Sequence, residues 1–278
     1  METATQAQHH HRGHLEEELA QPWRFFYKLW YYLVTLPVAF LVVTPFLAFC
    51  TYVLSFFSSR VAVYMGVVWA KVLLALTIIR TRVFGQSHVD PNQSYVIVVN
   101  HESNLDILAI YGYLPVDFRW VMKIEIRKIP FIGGACARMK HVYVDRSNRD
   151  KALASLQKAR EQLVGGTSIL FFPEGTRSKT RELLPFKKGA FRMAIDLNLP
   201  ILPVTLRDTG LLMPARGVEA RRPGTLGVMI HEPISVEGLT PDDLPDLMAH
   251  CRNVIDQGRS APDPTVPLPL KWKGGSAS

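Results

Sequence analysis

Charged side chains are spread unevenly along this chain, and their absence is the first structural signal. Between Lys28 and Arg60 lie 31 residues without a charge, opening Leu29-Trp30-Tyr31-Tyr32 and running to Phe56-Phe57. A second apolar run, Val61 to Ile79, is broken only by Lys71. About 20 apolar residues cross a bilayer core, so the first run is long enough. Pro37 and Pro45 lie inside it, and each removes a backbone donor and bends a helix. Trp23, Trp30, Tyr31 and Tyr32 cluster at one edge, where amphipathic rings favour the headgroup level. Arg24, Lys28, Arg60, Lys71, Arg80 and Arg82 flank or punctuate the runs, which suits anionic headgroups. The pattern predicts a two-helix membrane hairpin, roughly 25–58 and 61–80, kinked or re-entrant, with both ends on one side.

From Val83 onward the period changes. Short β-rich runs alternate with helical ones, the signature of an α/β layer architecture. Strands are expected at Tyr95–Val99, His141–Asp145, Thr167–Phe172, Ile201–Leu206 and Leu226–Ile230. Ser147 and Asp150 open a helix with a capping-box pattern, its inner face Leu153, Leu156 and Leu163, closed by Gly165-Gly166. Lys187 to Leu197 reads as a helix with Ala190, Phe191, Ala194 and Ile195 inward, and Asp242 to Asp256 as a final one. The fold class expected is α/β, a mixed β-sheet flanked by helices and preceded by the hairpin. Its parts are an N-terminal arm (1–24), the membrane segment (25–82), the α/β domain (83–258) and a proline-rich tail (259–278), the last expected to be extended.

Composition narrows the function. A net charge of +8 over 278 residues favours an anionic partner, yet no stretch concentrates it as a nucleic-acid stripe would. An apolar fraction of 48% excludes general disorder. Cys50, Cys136 and Cys251 are scattered and never form C-x-x-C, so neither a disulfide framework nor a thiolate zinc site is encoded, and a reducing compartment is expected. His9-His10-His11 and His14 read as a solvated tail rather than a metal tract.

Chemistry is concentrated after two strands. Behind Val99 comes Asn100-His101-Glu102-Ser103-Asn104-Leu105-Asp106. A histidine at the carboxyl end of a strand points into the crevice where α/β sheets bind ligands. Asp106, in the first turn of the next helix, is then within reach of one imidazole nitrogen. The other nitrogen is left to act as a general base on a bound hydroxyl. The same spacing also fits a lone histidine beside a capping aspartate. Behind Phe171 comes Phe172-Pro173-Glu174-Gly175-Thr176-Arg177, a tight loop ending in a planar guanidinium suited to phosphate. Lys123, in Lys123-Ile124-Glu125-Ile126, is either a second cation for the same phosphate or an ordinary exposed lysine. Leu199-Pro200-Ile201-Leu202-Pro203-Val204-Thr205 is either core or an acyl-binding wall.

Taken in order, these blocks resemble the glycerolipid acyltransferase family, most closely its 1-acylglycerol-3-phosphate (lysophosphatidic acid) acyltransferases. Asn100–Asp106 resembles the family's His-x4-Asp block. Lys123–Gly133 is similar to the second block, with Ile126 where leucine is common. Phe172–Arg177 matches the third, and Leu202–Thr205 resembles the fourth. The resemblance implies acyl transfer from acyl-CoA, or acyl carrier protein, to the sn-2 hydroxyl of lysophosphatidic acid, with phosphatidic acid as product. His101 would be the base and Asp106 its orienter. Lys123, Glu174, Gly175, Thr176 and Arg177 would form the acceptor site, with Glu174 ordering the loop or helping to bind the acceptor rather than moving a proton. No metal or resident cofactor is implied. The partners are the lipid acceptor, the acyl donor and the bilayer, not nucleic acid, with the domain on the cytoplasmic face of a membrane such as a bacterial inner membrane. Other readings are a relative acting on glycerol 3-phosphate, another lysophospholipid or a lyso-ornithine lipid, or a non-catalytic membrane lipid-binding protein. A hydrolase lacks a G-x-S-x-G elbow.

Overall fold

The computed structural model describes residues 23–145, 155, 163 and 166–260. The N-terminal histidines, the helix expected after Ser147 and the tail beyond Ser260 fall outside the described residues.

The chain opens with helix α1 (Trp23–Leu54), 32 residues long and mostly exposed, with Phe25, Phe26, Leu33, Phe40, Leu41 and Phe46 bare. At Tyr31–Thr35 and Val38–Val43, either side of Pro37, it loosens into π-helical turns. Such turns accommodate a proline, which withholds its donor and crowds the preceding turn. After a short turn comes α2 (Ser59–Leu76), started by Ser58, whose hydroxyl accepts from Val61 N. Only α1 is long and apolar enough among the described residues to cross a membrane. Helix α2 stops at Leu76, and the chain enters a strand at Ile79. The expected pair of apolar helices is present, one a candidate span and the other a shorter helix that packs on the α/β body. Trp69 Nε1 of α2 donates to Thr44 Oγ1 of α1 at 3.1 Å. The last carbonyls of α2, orphaned by the helix geometry, are capped from α1: Tyr27 OH donates to Thr77 O (2.9 Å) and Thr35 Oγ1 to Leu76 O (3.0 Å).

Seven strands follow: β1 (Ile79–Phe84), β2 (Val96–Val99), β3 (Phe118–Lys123), β4 (Val142–Val144), β5 (Ser168–Phe171), β6 (Ile201–Arg207) and β7 (Gly224–Ile230). They form one mixed sheet in the order β1-β7-β6-β2-β5-β3-β4, parallel throughout except for the β6–β7 pair. Strand β2 lies centrally and all four of its residues are fully buried. Alternation sends Ile97 and Val99 to one face and Val96 and Val98 to the other, so one strand supplies both cores. The first face is covered by α2 and by α3 (Leu105–Tyr113), which buries Leu105, Leu108, Ala109 and Ile110. The second is covered by α5 (Gly189–Leu197) and α7 (Leu244–Ser260), after a short α4 (Ile132–Arg138) and a one-turn α6 (Thr209–Leu212). Thr240 and Asp243 form a reciprocal capping box at the entry to α7.

The five expected strands and α5 are present within a residue or two, and α7 is present but ends four residues later than expected. Strands β1 and β3 are additions. Helix α7 runs on to Ser260, so Arg259, expected to begin an extended tail, is helical and packs inward.

Candidate active site

Because β2 and β5 are parallel neighbours, with Val98 opposite Phe171, their carboxyl ends deliver the two motif loops side by side. His101 stands just beyond β2. Its Nδ1 lies 2.7 Å from Asp106 Oδ2, and Asp106 is completely buried in the first turn of α3. The same Oδ2 accepts the backbone N–H of Glu102 (2.7 Å) and of Ser103 (2.8 Å). One carboxylate oxygen thus folds the loop and orients the ring. A carboxylate at Nδ1 fixes the tautomer that carries its proton there. Nε2 then has its lone pair available, and it has no protein hydrogen bond among the described residues. The imidazole is 15% exposed, enough for a ligand to reach it.

The third block holds the same histidine from the other side. The His101 ring stacks on Phe172 with centroids 3.9 Å apart and planes 14° apart. Glu174 Oε1 accepts His101 N at 2.7 Å, and its Oε2 accepts Leu184 N at 2.9 Å. Ser178 N donates to His101 O at 2.8 Å. Burial pushes the Glu174 carboxyl above the ordinary carboxylate range, opposed by its two backbone donors. With both oxygens engaged in this way, Glu174 ties the His101 loop to the Leu184 segment. Gly175 turns the loop at φ +73°, where a Cβ would also run into the Lys187 side chain.

The cations are placed differently. Arg177 is half-buried, and its Nη1 donates to Asn104 Oδ1 at 2.5 Å, so it sits beside the first block. Thr176 is exposed on the loop. Lys123 ends β3, on the same sheet edge but beyond β5. Its exposed ammonium lies 3.7 Å from Glu125. The structure therefore joins His101, Asp106, Glu174, Gly175 and Arg177 in one cluster and leaves Lys123 at its rim in a surface pair.

Several contributors carry no assignment from the sequence. Asn100 clamps the neighbouring strand, donating to Leu206 O (3.0 Å) and accepting Leu206 N (2.7 Å). Phe172 supplies the ring under the imidazole. Lys187 puts a cation over the Gly175 turn. The adjacent pair Lys187-Lys188 before α5 is a usable signal, because cations oppose the dipole at a helix start. Arg259 Nε donates to Glu102 Oε1 at 3.0 Å across 157 residues, for which no local pattern exists.

Comparison with known proteins agrees with this geometry. Residues 80–207 match the family model described as Acyltransferase. Beyond the family model, the chain is similar to 1-acyl-sn-glycerol-3-phosphate acyltransferase alpha of Mus musculus, 34% identical over 176 residues, covering 63% of this chain and 62% of the mouse protein. It is also similar to 1-acyl-sn-glycerol-3-phosphate acyltransferase of Saccharomyces cerevisiae, 36% identical over 187 residues, covering 66% of this chain and 60% of the yeast protein. The chain thus spans about three fifths of the length of the curated relatives it matches. In structure it is similar to PlsC, the 1-acyl-sn-glycerophosphate (LPA) acyltransferase of Thermotoga maritima, with a TM-score of 0.67 and 25% identity, covering 84% of this chain and 94% of that one.

Proposed function

We propose that this protein transfers an acyl group from acyl-CoA, or acyl carrier protein, to the sn-2 hydroxyl of 1-acylglycerol 3-phosphate, giving phosphatidic acid for phospholipid synthesis. The observation that carries this reading is the buried Asp106 carboxylate on His101 Nδ1, which leaves Nε2 as a base on a partly exposed ring. Nε2 removes the hydroxyl proton as the oxygen attacks the thioester carbonyl. The tetrahedral adduct collapses by breaking the C–S bond, and the imidazolium returns its proton to the leaving thiolate. Asp106 stabilises the imidazolium between these two transfers. Base catalysis of this kind contributes about 10²–10⁴ in rate. A thioester is already activated, so the scheme calls for no metal. Arg177 grips the phosphate, aided by Lys123 from the rim and by the Gly175-Thr176 turn.

The acceptor keeps its acyl chain in lipid, and the exposed apolar face of α1 supports a domain held against a bilayer. Helix α1 meets the α/β body near both ends. Tyr27 bonds to Thr77 O, and Tyr52 packs on Phe131 with centroids 6.0 Å apart. Such an anchor holds the crevice close to the lipid surface. The free cysteines suit the cytoplasmic side, where acyl-CoA is available.

The test is purified protein in detergent with labelled acyl-CoA and a panel of acceptors: lysophosphatidic acid, glycerol 3-phosphate, neutral lysophospholipids and a lyso-ornithine lipid. Labelled phosphatidic acid is the expected main product. No transfer to any acceptor would favour a lipid-binding protein, and preference for another acceptor would move the assignment within the family.

A further inference from the structure

We propose that Asn104 is a positioning residue that fixes the Arg177 guanidinium and ties it to helix α1. The proposal rests on the acyl-transfer reading above and adds to it how the phosphate grip is held.

Asn104 occupies the N-cap of α3, where an asparagine side chain ordinarily accepts a backbone N–H of the first turn. Here it makes no cap bond. Its neighbours supply the capping instead. Ser103 Oγ accepts Leu105 N at 3.1 Å, and Asp106 Oδ2 accepts the Glu102 and Ser103 amides. The Asn104 carboxamide is directed to two other partners. Its Oδ1 accepts from Arg177 Nη1 at 2.5 Å, and its Nδ2 donates to Gly217 O at 3.1 Å. A guanidinium only donates and a carbonyl only accepts, so the amide fits in one orientation.

Gly217 belongs to the segment that α1 holds. The Tyr31 hydroxyl donates to Val218 O, the Tyr32 hydroxyl donates to Glu219 Oε2 at 2.5 Å, and Lys28 Nζ lies 3.9 Å from Glu219. A continuous path therefore runs from Tyr31 through Val218 and Gly217 to Asn104 and on to Arg177. Among the described residues Arg177 gives one of its five donors to Asn104, and the fork keeps the others for a phosphate. A neutral amide suits this task, because a carboxylate in its place would compete with the phosphate for the guanidinium.

The experiment is steady-state kinetics of the full chain in detergent with lysophosphatidic acid and acyl-CoA. N104A is expected to raise KM for lysophosphatidic acid about tenfold, the loss of one charge-assisted bond, with kcat and the acyl-CoA KM held within about twofold. N104D is expected to raise it at least as much. Y31F, remote from the crevice, should shift the same KM by a few-fold through the path. In the R177A background, N104A should add nothing. An N104A effect that multiplies with R177A, or one that falls on kcat and both KM values alike, would show that Asn104 merely supports α3 and would overturn the proposal. If N104A does not fold, Y31F and the N104D/R177A pair give the same decision. Wild-type protein without activity on lysophosphatidic acid would refute the acyl-transfer reading itself, a result distinct from active wild type with an indifferent Asn104.

Discussion

The imidazole and the guanidinium of the site are held in opposite ways. His101 is fixed at its backbone N–H by Glu174, at its carbonyl by Ser178, at Nδ1 by Asp106 and across its face by Phe172. Arg177 is half-buried and fixed through the Asn104 amide. The difference matches the two tasks. A general base must be aimed before the alcohol arrives, since misplacement directly lowers the rate of proton transfer. A phosphate grip completes its hydrogen bonds only when the anion is present, and a looser arm costs affinity rather than rate.

The comparison breaks most easily at Asp106. Replacing it with alanine removes the partner of Nδ1 and two loop bonds together. Transfer should fall by about 10²–10⁴, measured as phosphatidic acid formed per enzyme. Residual turnover near wild type would mean that the ring needs no orienter. Next in size is Arg177→Ala, expected to raise KM for lysophosphatidic acid about tenfold or more while leaving acyl-CoA affinity in place. Glu174→Gln sharpens the contrast within the base side. A glutamine amide group would face a backbone N–H, leaving one donor unpaired at a cost of about 1–3 kcal/mol, seen as a lower thermal midpoint and reduced kcat.

The last effect lies in the body, away from the site. Burial lowers His141 to about 3 and His231 to about 4, both below the ordinary imidazole value. Such groups contribute stability that is complete above their unfolded pKa and is lost as pH falls towards the folded values. Each imidazole costs about 1.4 kcal/mol per pH unit at most. Glu102 and Glu174, raised by burial, act in the opposite sense and offset part of the loss. Thermal midpoints should therefore decline between about pH 6.5 and 4.5, and His231→Gln should flatten the decline. A midpoint constant across that range would remove the histidines as its source.

How much of this is legible in the sequence depends on the range of the contact. His101 and Asp106 are five residues apart at a strand–helix joint, so their pairing can be read from local geometry. The sheet alignment that stacks Phe172 on His101 comes from β2–β5 register, which only the fold supplies. Strand β1 is hidden because Ile79 prolongs the apolar run of α2, and its alternating arginines look like a membrane flank. Strand β3 mixes Arg119 and Lys123 with Phe118, Trp120 and Val121, which blurs the period of two. The motif draws Lys123 into the acceptor site, whereas the fold gives it a surface partner in Glu125. Arg259 looks like the start of a proline-rich tail, yet α7 carries it back to Glu102. Asn104 is visible as part of a motif, but nothing nearby in sequence names Gly217 or Arg177 as its partners.

The most direct test of the whole account measures kcat and the lysophosphatidic acid KM side by side for Asp106→Asn and Arg177→Lys. Both substitutions keep volume approximately; the first removes the carboxylate charge behind His101 and the second the planar fork of Arg177. The account predicts that the first loses kcat with KM nearly held, and that the second raises KM with kcat nearly held. Both variants moving the same parameter would contradict the separation of an aimed base from an anion grip.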